Sequence, residues 1–523
     1  MKVLVSDSLS EKGIEILEKG AEVDVRTGMS PEELKTCIGE YDALVVRSQT
    51  QVTEEVISAA ENLKIIGRAG VGVDNIDVEA ATQRGIIVIN APEGNMISAA
   101  EHTIAMMMAM SRNIPQANQS MRAGKWDRKL FMGVEVRGKT LGVVGLGRIG
   151  AEVTKRAQGL EMNILAYDPF ISEERAASLG VKLTTVEDIV INADYITVHT
   201  PLTKDTKNLI DREEFEKAKS GVRIINCARG GIINEKALAE AVASGKVAAA
   251  AIDVYTSEPP TGSPLLDQDN IIVTPHLGAS TKEAQVNVAV DVAEQIINFN
   301  QGLPVKNAIN MPYVKQEVMK VLQPYLPLAE KIGKLAAQLM EEKYEKIEVS
   351  YSGEIAEWDT GPVTVAALKG LLEFAMGSSV NYVNAPVIAK ERKIKMVESK
   401  SKTTESYSNL IMMNIFNRGK VKTVGGTMVG TNPRLVQIDE FSIDVLPLGH
   451  MLIALHEDHP NIIGPCCIVL GNHDINIAGM QVGRIKAGGT AIMVLNVDSE
   501  VNEEILNEIR AVKGILNAKM VYL

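Results

Sequence analysis

Short apolar segments alternate with helical patterns through the first 300 residues of the chain. Such an alternation of strand and helix predicts parallel sheets that are covered by helices on both faces. The pattern occurs once before and once after a long helical stretch at 98–124, so it predicts two doubly wound α/β domains. The predicted strands are 2–7, 21–27, 43–48, 64–70 and 86–92 in the first series, and 141–144, 164–169, 195–201, 222–231, 247–255 and 270–278 in the second.

The pattern changes after residue 311. Residues 312–345 have helical spacing, and the chain up to residue 442 mixes predicted strands with a helix at 364–376, which indicates an α+β domain. From Gly449 onward the predicted order is strand, helix, strand, strand, helix, strand, which is the βαββαβ order of a ferredoxin-like module. Its segments are 451–456, 461–471, 474–484, 490–498, 502–512 and 515–522.

Length and composition limit the classes of protein to consider. A chain of 523 residues with 46% hydrophobic and 23% charged residues predicts three or four globular domains. The net charge of −12 argues against nucleic acid as a partner. None of the four cysteines has C-x-x-C spacing, so we expect neither a disulfide framework nor a metal site. Because we find no signal peptide and no apolar run of membrane-span length, we expect a cytoplasmic protein without a membrane partner.

The segment VVGLGRIG carries a dinucleotide-binding pattern. Gly145, Gly147 and Gly150 have G-x-G-x-x-G spacing between an apolar strand and a helix, and the acidic Asp168 ends the next strand. These glycines allow a tight turn, a close approach of the backbone to a pyrophosphate, and close packing of helix on strand. Asp168 is placed to accept hydrogen bonds from a ribose, and its charge repels a 2′-phosphate. The pattern therefore predicts NAD as cofactor, in preference to NADP.

Three polar residues follow later strands of the same series. Arg229 lies in NCARGG, Glu258 in YTSEPP and His276 in TPHLGAS. Taken singly, each has an equally good structural interpretation: Arg229 as a member of a structural ion pair, Glu258 as a solvated loop charge, and His276 as an interior histidine. Together they can oxidise an alcohol next to a carboxylate: His276 removes the hydroxyl proton, Glu258 fixes the imidazole, and Arg229 binds the carboxylate. Gly230 and Gly231 leave room for substrate and cofactor in front of Arg229.

In this order, the motifs GLGRIG, NCARGG, DVY-x-x-EPP and PHLGAST resemble those of the D-isomer-specific 2-hydroxyacid dehydrogenases. The resemblance covers residues 1–310. It implies NAD-dependent oxidation of a 2-hydroxy acid, with Arg229, Glu258 and His276 as catalytic residues. It also implies a dimer arm at 124–133, from which Arg128 or Lys129 reaches the neighbouring active site.

The resemblance further implies two sets of ligand contacts. Its cofactor contacts are Gly145, Gly147, Arg148, Ile149, Gly150, Asp168, Thr200, Pro201, Cys227, Ala228, Arg229, Asp253, His276 and Gly278. Its substrate contacts, in the loops RSQT, GRAGVGVDNID and NAPEGN, are Arg47, Arg68, Val71, Gly72 and Asn95.

As a whole, the chain resembles the long members of this family, which oxidise 3-phospho-D-glycerate in the first step of L-serine biosynthesis. This resemblance implies a flavodoxin-like substrate-binding domain (1–97 and 295–311), a Rossmann NAD-binding domain (98–294), an intervening anion-binding domain (312–442) and an ACT domain (449–523). It implies a homodimer or homotetramer as well.

Regulatory contacts follow from the same resemblance. Candidate anion contacts of the intervening domain are Lys390, Arg392 and Arg434, and L-serine as effector would be bound by His456, Asp458 and Asn476. The usual D-R-P-G loop of the ACT domain is D-H-P-N here, and its last residue, Asn461, tolerates the left-handed conformation that glycine supplies.

Several alternatives stay open at the level of the sequence. The catalytic set is shared by dehydrogenases of other small 2-hydroxy acids, such as glycerate, lactate or glyoxylate. A scaffold or corepressor that senses NAD(H) without catalysis is a further hypothesis, although the intact Arg–Glu–His set argues against it. The ACT module is equally compatible with a purely structural role in dimerisation.

Overall fold

The computed structural model describes residues 1–312, 314, 316–340, 343–403 and 406–523, and these form four sheets. The first sheet is all-parallel with strand order β2-β1-β3-β4-β5, the flavodoxin-like order. Its elements are β1 (Lys2–Val5), α1 (Glu11–Glu18), β2 (Glu22–Val25), α2 (Pro31–Cys37), β3 (Ala43–Val46), α3 (Glu54–Ala59), β4 (Ile65–Arg68), α4 (Val78–Gln83) and β5 (Ile87–Asn90).

The second sheet is also parallel and has the order β12-β11-β10-β9-β6-β7-β8. Strands β7 and β8 lie on one side of β6, and β9 to β12 lie on the other, so the strand order reverses at β6 as in a Rossmann fold. Its elements are α5 (Met96–Ser111), α6 (Ile114–Arg122), β6 (Thr140–Val144), α7 (Arg148–Gly159), β7 (Asn163–Tyr167), α8 (Glu173–Ser178), β8 (Lys182–Leu183), α9 (Val186–Asn192), β9 (Tyr195–Val198), α10 (Arg212–Lys217), β10 (Val222–Asn226), α11 (Glu235–Ala243), β11 (Val247–Ile252) and β12 (Ile271–Val273).

The long helix α12 (Lys282–Asn300) returns the chain to the first sheet. Its buried residues Val288, Val292 and Ile296 share one hydrophobic core with Val3 and Val5 of β1. The first domain is therefore completed by a segment that follows the second.

The helix predicted at 98–124 is wrong as a single element. The chain forms two helices, α5 and α6, with a break at residues 112–113, where Asn113 has a left-handed φ of 50°. Pro115 lacks a backbone N–H and so cannot continue the hydrogen-bond ladder of α5. Pro324 separates two helices in the predicted stretch 312–345 in the same way.

The third sheet is mixed, with order β14-β13-β15-β16-β17-β18, in which β13 and β14 are parallel and the other pairs antiparallel. Its elements are α13 (Gln316–Leu322), α14 (Tyr325–Met340), β13 (Lys346–Gly353), α15 (Gly361–Met376), α16 (Ala385–Glu391), β14 (Lys395–Ser401), β15 (Asn409–Asn417), β16 (Lys420–Val429), β17 (Asn432–Ile438) and β18 (Phe441–Val445). Short 3₁₀ turns are described at Ile38–Glu40, Arg128–Phe131, Glu354–Glu357 and Gly377–Ser379.

The fourth sheet is antiparallel with order β20-β21-β19-β22, the ferredoxin-like order. Its elements are β19 (His450–Glu457), α17 (Ile463–Asn472), β20 (Ile477–Arg484), β21 (Thr490–Val497), α18 (Glu503–Ala511) and β22 (Ile515–Tyr522). Asn461 has the expected left-handed φ of 64°. Met451, Ile453 and Val521 belong to the same buried cluster as the helices of the third domain, so the last two domains share a core.

Within the described residues, no helix combines the length and the apolar character that crossing a bilayer would need.

Candidate active site

The glycine-rich turn lies between β6 and α7. Gly145 has a φ of 96°, which a residue with a side chain rarely adopts, and a Cβ on Gly150 would lie 2.0 Å from the carbonyl oxygen of Gly145. A Cβ on Gly147, in contrast, would meet nothing within 4 Å. The first and third glycines are thus required by the fold, and the second faces open space at a helix N-terminus, where backbone N–H groups favour phosphate.

Asp168 closes β7 beside this turn. Its carboxylate accepts hydrogen bonds from the backbone N–H of Leu146 (2.8 Å) and of Phe170 (2.9 Å). These bonds fix the carboxylate against the glycine turn, in the position from which an acidic residue binds an adenosine ribose.

Arg229 follows β10, and the side chain of Asn226 braces its turn. The Asn226 amide donates to the carbonyl oxygen of Arg229 (2.9 Å), while its oxygen accepts from the N–H of Ala228 (3.0 Å). A Cβ on Gly230 would lie 1.9 Å from the carbonyl oxygen of Tyr255, so only glycine allows this turn to approach the loop after β11. The approach brings the Arg229 turn next to the segment that carries Glu258.

Glu258 and His276 form a pair. His276 Nδ1 lies 2.7 Å from Glu258 Oε2, and Glu258 Oε1 accepts from the N–H of Tyr255 (3.1 Å). Burial raises the pKa of the Glu258 carboxyl, but the hydrogen bond and charge of His276 more than offset this, so its pKa lies below the usual range. Because Nδ1 is held by a carboxylate, Nε2 is the ring nitrogen left for a substrate proton.

The turn that carries His276 is fastened by the buried Asp253. Its carboxylate accepts from the N–H groups of Leu277 (2.7 Å) and Gly278 (2.9 Å), and its backbone oxygen accepts from the N–H of His276 (2.9 Å). His102 Nε2 lies 3.2 Å from the same carboxylate. Asp253 therefore fixes the backbone on which the imidazole stands, at a left-handed φ of 54° for His276.

His102, Cys227 and Asp253 also bring possible metal-ligand atoms within 4.8 Å of one another. Both oxygens of Asp253 already accept N–H donors, and burial raises the pKa of the Cys227 thiol to about 12. We therefore interpret these three residues as a hydrogen-bonded support of the His276 turn and not as metal ligands.

Two loops of the first domain face Arg229. Asp7, which is buried, accepts from the backbone N–H of Arg47 (2.6 Å) and from the hydroxyl of Thr50 (2.6 Å). The Asn75 amide donates to the carbonyl oxygens of Arg47 (2.8 Å) and Thr50 (2.6 Å). These side chains tie the loop after β3 to the loop after β4, and thereby fix the positions of Arg47 and Arg68 relative to each other.

Arg68 is the least satisfied cation of the site. Its Nε is buried and has no hydrogen-bond partner among the described residues. Burial lowers the pKa of Arg68 to about 10, and the positive charges of Arg229 and Arg47 act in the same direction, against the opposing effect of Asp74. Three guanidinium groups therefore converge from two domains, and an anion bound among them would relieve both the repulsion and the unpaired donor.

The remaining predicted ligand contacts lie around the same cleft. Within the part of the chain that the structure describes, Thr200 Oγ1 and Asn95 Oδ1 are buried without a hydrogen-bond partner. A Cβ on Gly72 would lie 1.9 Å from Arg229 Nη2. Two further predicted residues make contacts through their backbone: the carbonyl oxygen of Val71 accepts from Asn90 Nδ2 (2.5 Å), and that of Pro201 accepts from Thr206 Oγ1 (2.6 Å). Beside the glycine turn, Arg148 is exposed and Ile149 is partly buried. Arg128 and Lys129 lie in the exposed arm.

The predicted regulatory residues lie in the last two domains. His456 is buried on β19 with Nε2 unpartnered among the described residues, Asp458 accepts from the N–H of Gly488 (3.1 Å), and Asn476 donates to Asp498 (2.7 Å). Lys390 and Arg392 are exposed at the end of α16, and Arg434 lies 3.4 Å from Asp444.

Comparison with known proteins agrees with this geometry. Residues 104–278 match the D-isomer specific 2-hydroxyacid dehydrogenase NAD binding domain, 321–439 the D-3-phosphoglycerate dehydrogenase intervening domain, and 450–514 the ACT domain. A D-3-phosphoglycerate dehydrogenase of Archaeoglobus fulgidus is 51% identical over 100% of both chains. The chain belongs to the D-3-phosphoglycerate dehydrogenases. One from Bacillus subtilis is 46% identical over 100% of this chain and 99% of that one.

Solved structures resemble the first two domains. A protein of Thermus thermophilus is 32% identical, with a TM-score of 0.55 over 59% of this chain and 100% of its own. The D-lactate dehydrogenase of Escherichia coli is 27% identical, with a TM-score of 0.53 over the same shares of the two chains. Each of these two solved chains is therefore matched along its whole length by 59% of this chain.

The residues at the glycine turn fit the NAD of this family. The open space at Gly147, the carboxylate at Asp168 and the buried hydroxyl of Thr200 supply a pyrophosphate cradle, a ribose acceptor and a further polar contact. When bound, NAD supplies the acceptor for a hydride.

Asp168→Ala is expected to reduce the preference for NAD over NADP. The substitution removes both the ribose acceptor and the charge that repels a 2′-phosphate, so the ratio of kcat/KM with NAD to that with NADP should fall at least about tenfold, the equivalent of one hydrogen bond to a charged group. Steady-state rates with each cofactor measure this ratio. An unchanged ratio would assign Asp168 only to the support of the turn at Leu146 and Phe170.

The sequence analysis does not predict the roles of four residues in this site. Asn226, Asp7 and His102 act as supports, and Asp74 contacts Arg229 from the other domain. Asn226 lies in the motif NCARGG and Asp74 in the loop GRAGVGVDNID, so the sequence marks the segments around them. The roles of all four residues are recognisable only from tertiary contacts.

Proposed function

We propose that the chain oxidises 3-phospho-D-glycerate to 3-phosphohydroxypyruvate with reduction of NAD, the reaction that starts L-serine biosynthesis. The observation that carries this proposal is the convergence of Arg47, Arg68 and Arg229 at the cleft that holds the Glu258–His276 pair. A substrate with a carboxylate at one end and a phosphate at the other requires more cationic groups than the single arginine that a simple 2-hydroxy acid needs.

The catalytic steps follow from the positions of these groups. Arg229 binds the carboxylate next to the reacting carbon and polarises its oxygen. His276 Nε2 accepts the hydroxyl proton as the hydride leaves that carbon, and the Glu258 carboxylate stabilises the imidazolium that results. Arg47 and Arg68 hold the rest of the anion, so that the carbon faces the nucleotide-binding side of the cleft.

A spectrophotometric assay tests the proposal. Purified protein with NAD and 3-phospho-D-glycerate should produce NADH at alkaline pH with a trap for the product, because the reaction releases a proton and rising pH favours it. Glycerate and lactate, which lack the phosphate, should be oxidised with a much lower kcat/KM. Equal rates with glycerate would remove the role assigned to Arg47 and Arg68, and the absence of NADH with every 2-hydroxy acid would refute the enzymatic function.

We also propose that L-serine binds the ACT domain through His456, Asp458 and Asn476. The buried Nε2 of His456, which no described residue contacts by a hydrogen bond, supports a polar ligand there. The backbone N–H of Gly488 lowers the pKa of the Asp458 carboxyl, and a carboxylate at this place suits the ammonium group of an amino acid.

L-Serine is expected to lower the rate of NADH formation, and Asp458→Ala should abolish this inhibition while the uninhibited rate stays within about twofold, since the residue belongs to a different domain from the catalytic residues. Rates at increasing L-serine concentration measure the effect, with D-serine as the matched control. Equal inhibition of the wild type and the variant would contradict the assigned site.

The exposed arm supports an oligomer. Trp126, Leu130 and Met132 have relative exposures of 74%, 74% and 82%, which is unusual for large apolar side chains that lie so close together in the chain. We assign this arm to contact with a second copy of the chain, in a homodimer or in a homotetramer in which the ACT domains add a second interface.

A further inference from the structure

A carboxylate lies among the cations of the substrate cleft. Asp74, in the loop between β4 and α4, has its Oδ2 3.0 Å from Nε of Arg229. This contact joins residues that are 155 positions apart and belong to different domains. A negative charge at this place repels an anionic substrate, so electrostatic attraction of the substrate does not account for Asp74.

The hydrogen bonds of Arg229 suggest what Asp74 does. Nε donates to Asp74, and Nη1 donates to the carbonyl oxygen of Ala228 (2.7 Å). Among the described residues, Nη2 has no such partner. Two of the three nitrogen atoms are thus anchored, one from each domain, and the anchored guanidinium has one defined edge left for a substrate carboxylate.

Asp74 is itself held in place. Its neighbour Asn75 is bonded through its side chain to the backbone of the Arg47 loop, and Asp77, three residues on, caps α4 through the N–H of Ala80 (2.9 Å). Gly72 lies beneath the contact: a Cβ there would be 1.9 Å from Arg229 Nη2 and 2.6 Å from Asp74 Oδ2. The loop therefore leaves the space that the ion pair occupies and limits the movement of its carboxylate.

We propose that Asp74 is a positioning residue, which orients the Arg229 guanidinium across the cleft so that its free edge faces the substrate carboxylate. It acts through Arg229 and does not touch the substrate. Its charge also offsets the repulsion between Arg229 and Arg68. This inference rests on the proposed function only in that the substrate carries a carboxylate.

The negative charge of Asp74 repels an anionic substrate, whereas its hydrogen bond orients Arg229 for that substrate. Two substitutions separate these two effects. Asp74→Ala removes both, whereas Asp74→Asn removes the charge but keeps an oxygen that can accept from Nε. Glu79→Gln, on the exposed first turn of α4, removes one negative charge nearby without touching Arg229 and serves as the control.

The expected result is a fall in kcat/KM of about tenfold for Asp74→Ala, the loss of one hydrogen bond to a charged group, and a recovery to within about threefold of the wild type for Asp74→Asn. NADH affinity, measured by fluorescence, and the thermal unfolding midpoint should be unchanged in all variants, because Asp74 is 71% exposed and contributes little to the fold.

Two results would overturn the proposal. Equal values for Asp74→Ala and Asp74→Asn would mean that the hydrogen bond orients nothing. A kcat/KM higher than that of the wild type for Asp74→Ala would make Asp74 a competitor for Arg229. The variants are compared on whichever 2-hydroxy acid the wild type oxidises. If the wild type did not oxidise 3-phospho-D-glycerate, the proposed substrate would be refuted. The ratio of kcat/KM between the Asp74 variants would still test the positioning role of Asp74.

Discussion

His276→Asn is expected to lower kcat by a factor of about 10²–10⁴, the range of a general base. The substitution keeps a polar side chain of similar reach but removes the ring nitrogen that accepts the hydroxyl proton. Glu258 then has no imidazolium to stabilise, although its hydrogen bond from Tyr255 remains. Single-turnover and steady-state rates of NADH formation measure the loss.

NADH binding provides the control for this variant. The backbone of the His276 turn is fastened by Asp253 and not by the imidazole, so the dissociation constant for NADH should stay within about twofold. A parallel loss of NADH binding would show that His276 serves the cofactor or the fold and not proton transfer.

The pH profile adds a second readout. The pKa of Glu258 is lowered in the folded protein. Its side chain is therefore ionised at every pH above the ordinary pKa of a glutamate, and it is protonated only when the pH falls through the lowered pKa. Loss of activity between about pH 5 and 8, the range in which histidine titrates, therefore does not come from Glu258. In Glu258→Gln, kcat should fall, because the imidazolium that forms during the reaction has lost its counter-ion.

Arg229→Lys is expected to have the second large effect, a fall in kcat/KM of about 10²–10³. A lysine keeps the charge but cannot present a planar pair of N–H groups to a carboxylate, nor bond at once to Asp74 and to the Ala228 carbonyl. The measurement is kcat/KM for 3-phospho-D-glycerate, together with NADH affinity.

Arg223→Lys is the matched control for Arg229→Lys. Arg223 lies on the same strand β10 and packs over the ring of Tyr195, away from the cleft. This control should retain kcat/KM within a few-fold. If Arg229→Lys behaved in the same way, the substrate carboxylate would have to be bound elsewhere, and Arg68 would be the first candidate.

The sequence predicted the parts of the site that depend on local pattern. Gly145 and Gly150 are glycines because the turn has a positive φ and a close backbone contact, and this requirement is visible as a spaced motif. Arg229, Glu258 and His276 follow strands of one parallel sheet, and such strands end at a common edge. Their proximity could therefore be inferred before any contact was known.

Other parts of the site depend on contacts that no local pattern contains. Asp74 and Arg229 come from different domains, and their pairing depends on how α12 returns the chain to the first sheet. His102 is one of several polar residues on a largely apolar helix, and only the packing of α5 against β11 brings it to Asp253. The sequence analysis missed the break at Asn113 because the helical spacing of the residues continues across Pro115. The helix nevertheless ends there, because Pro115 has no backbone N–H to donate.

The proposed reaction passes a hydride from carbon 2 of 3-phospho-D-glycerate to NAD. A substrate with deuterium at that carbon tests this transfer, with the reduced cofactor analysed by mass spectrometry. We expect one deuterium in each NADH formed and none in the product, together with a slower single-turnover rate than that of the unlabelled substrate. NADH that contains no deuterium, or a label that is lost to water, would contradict the account.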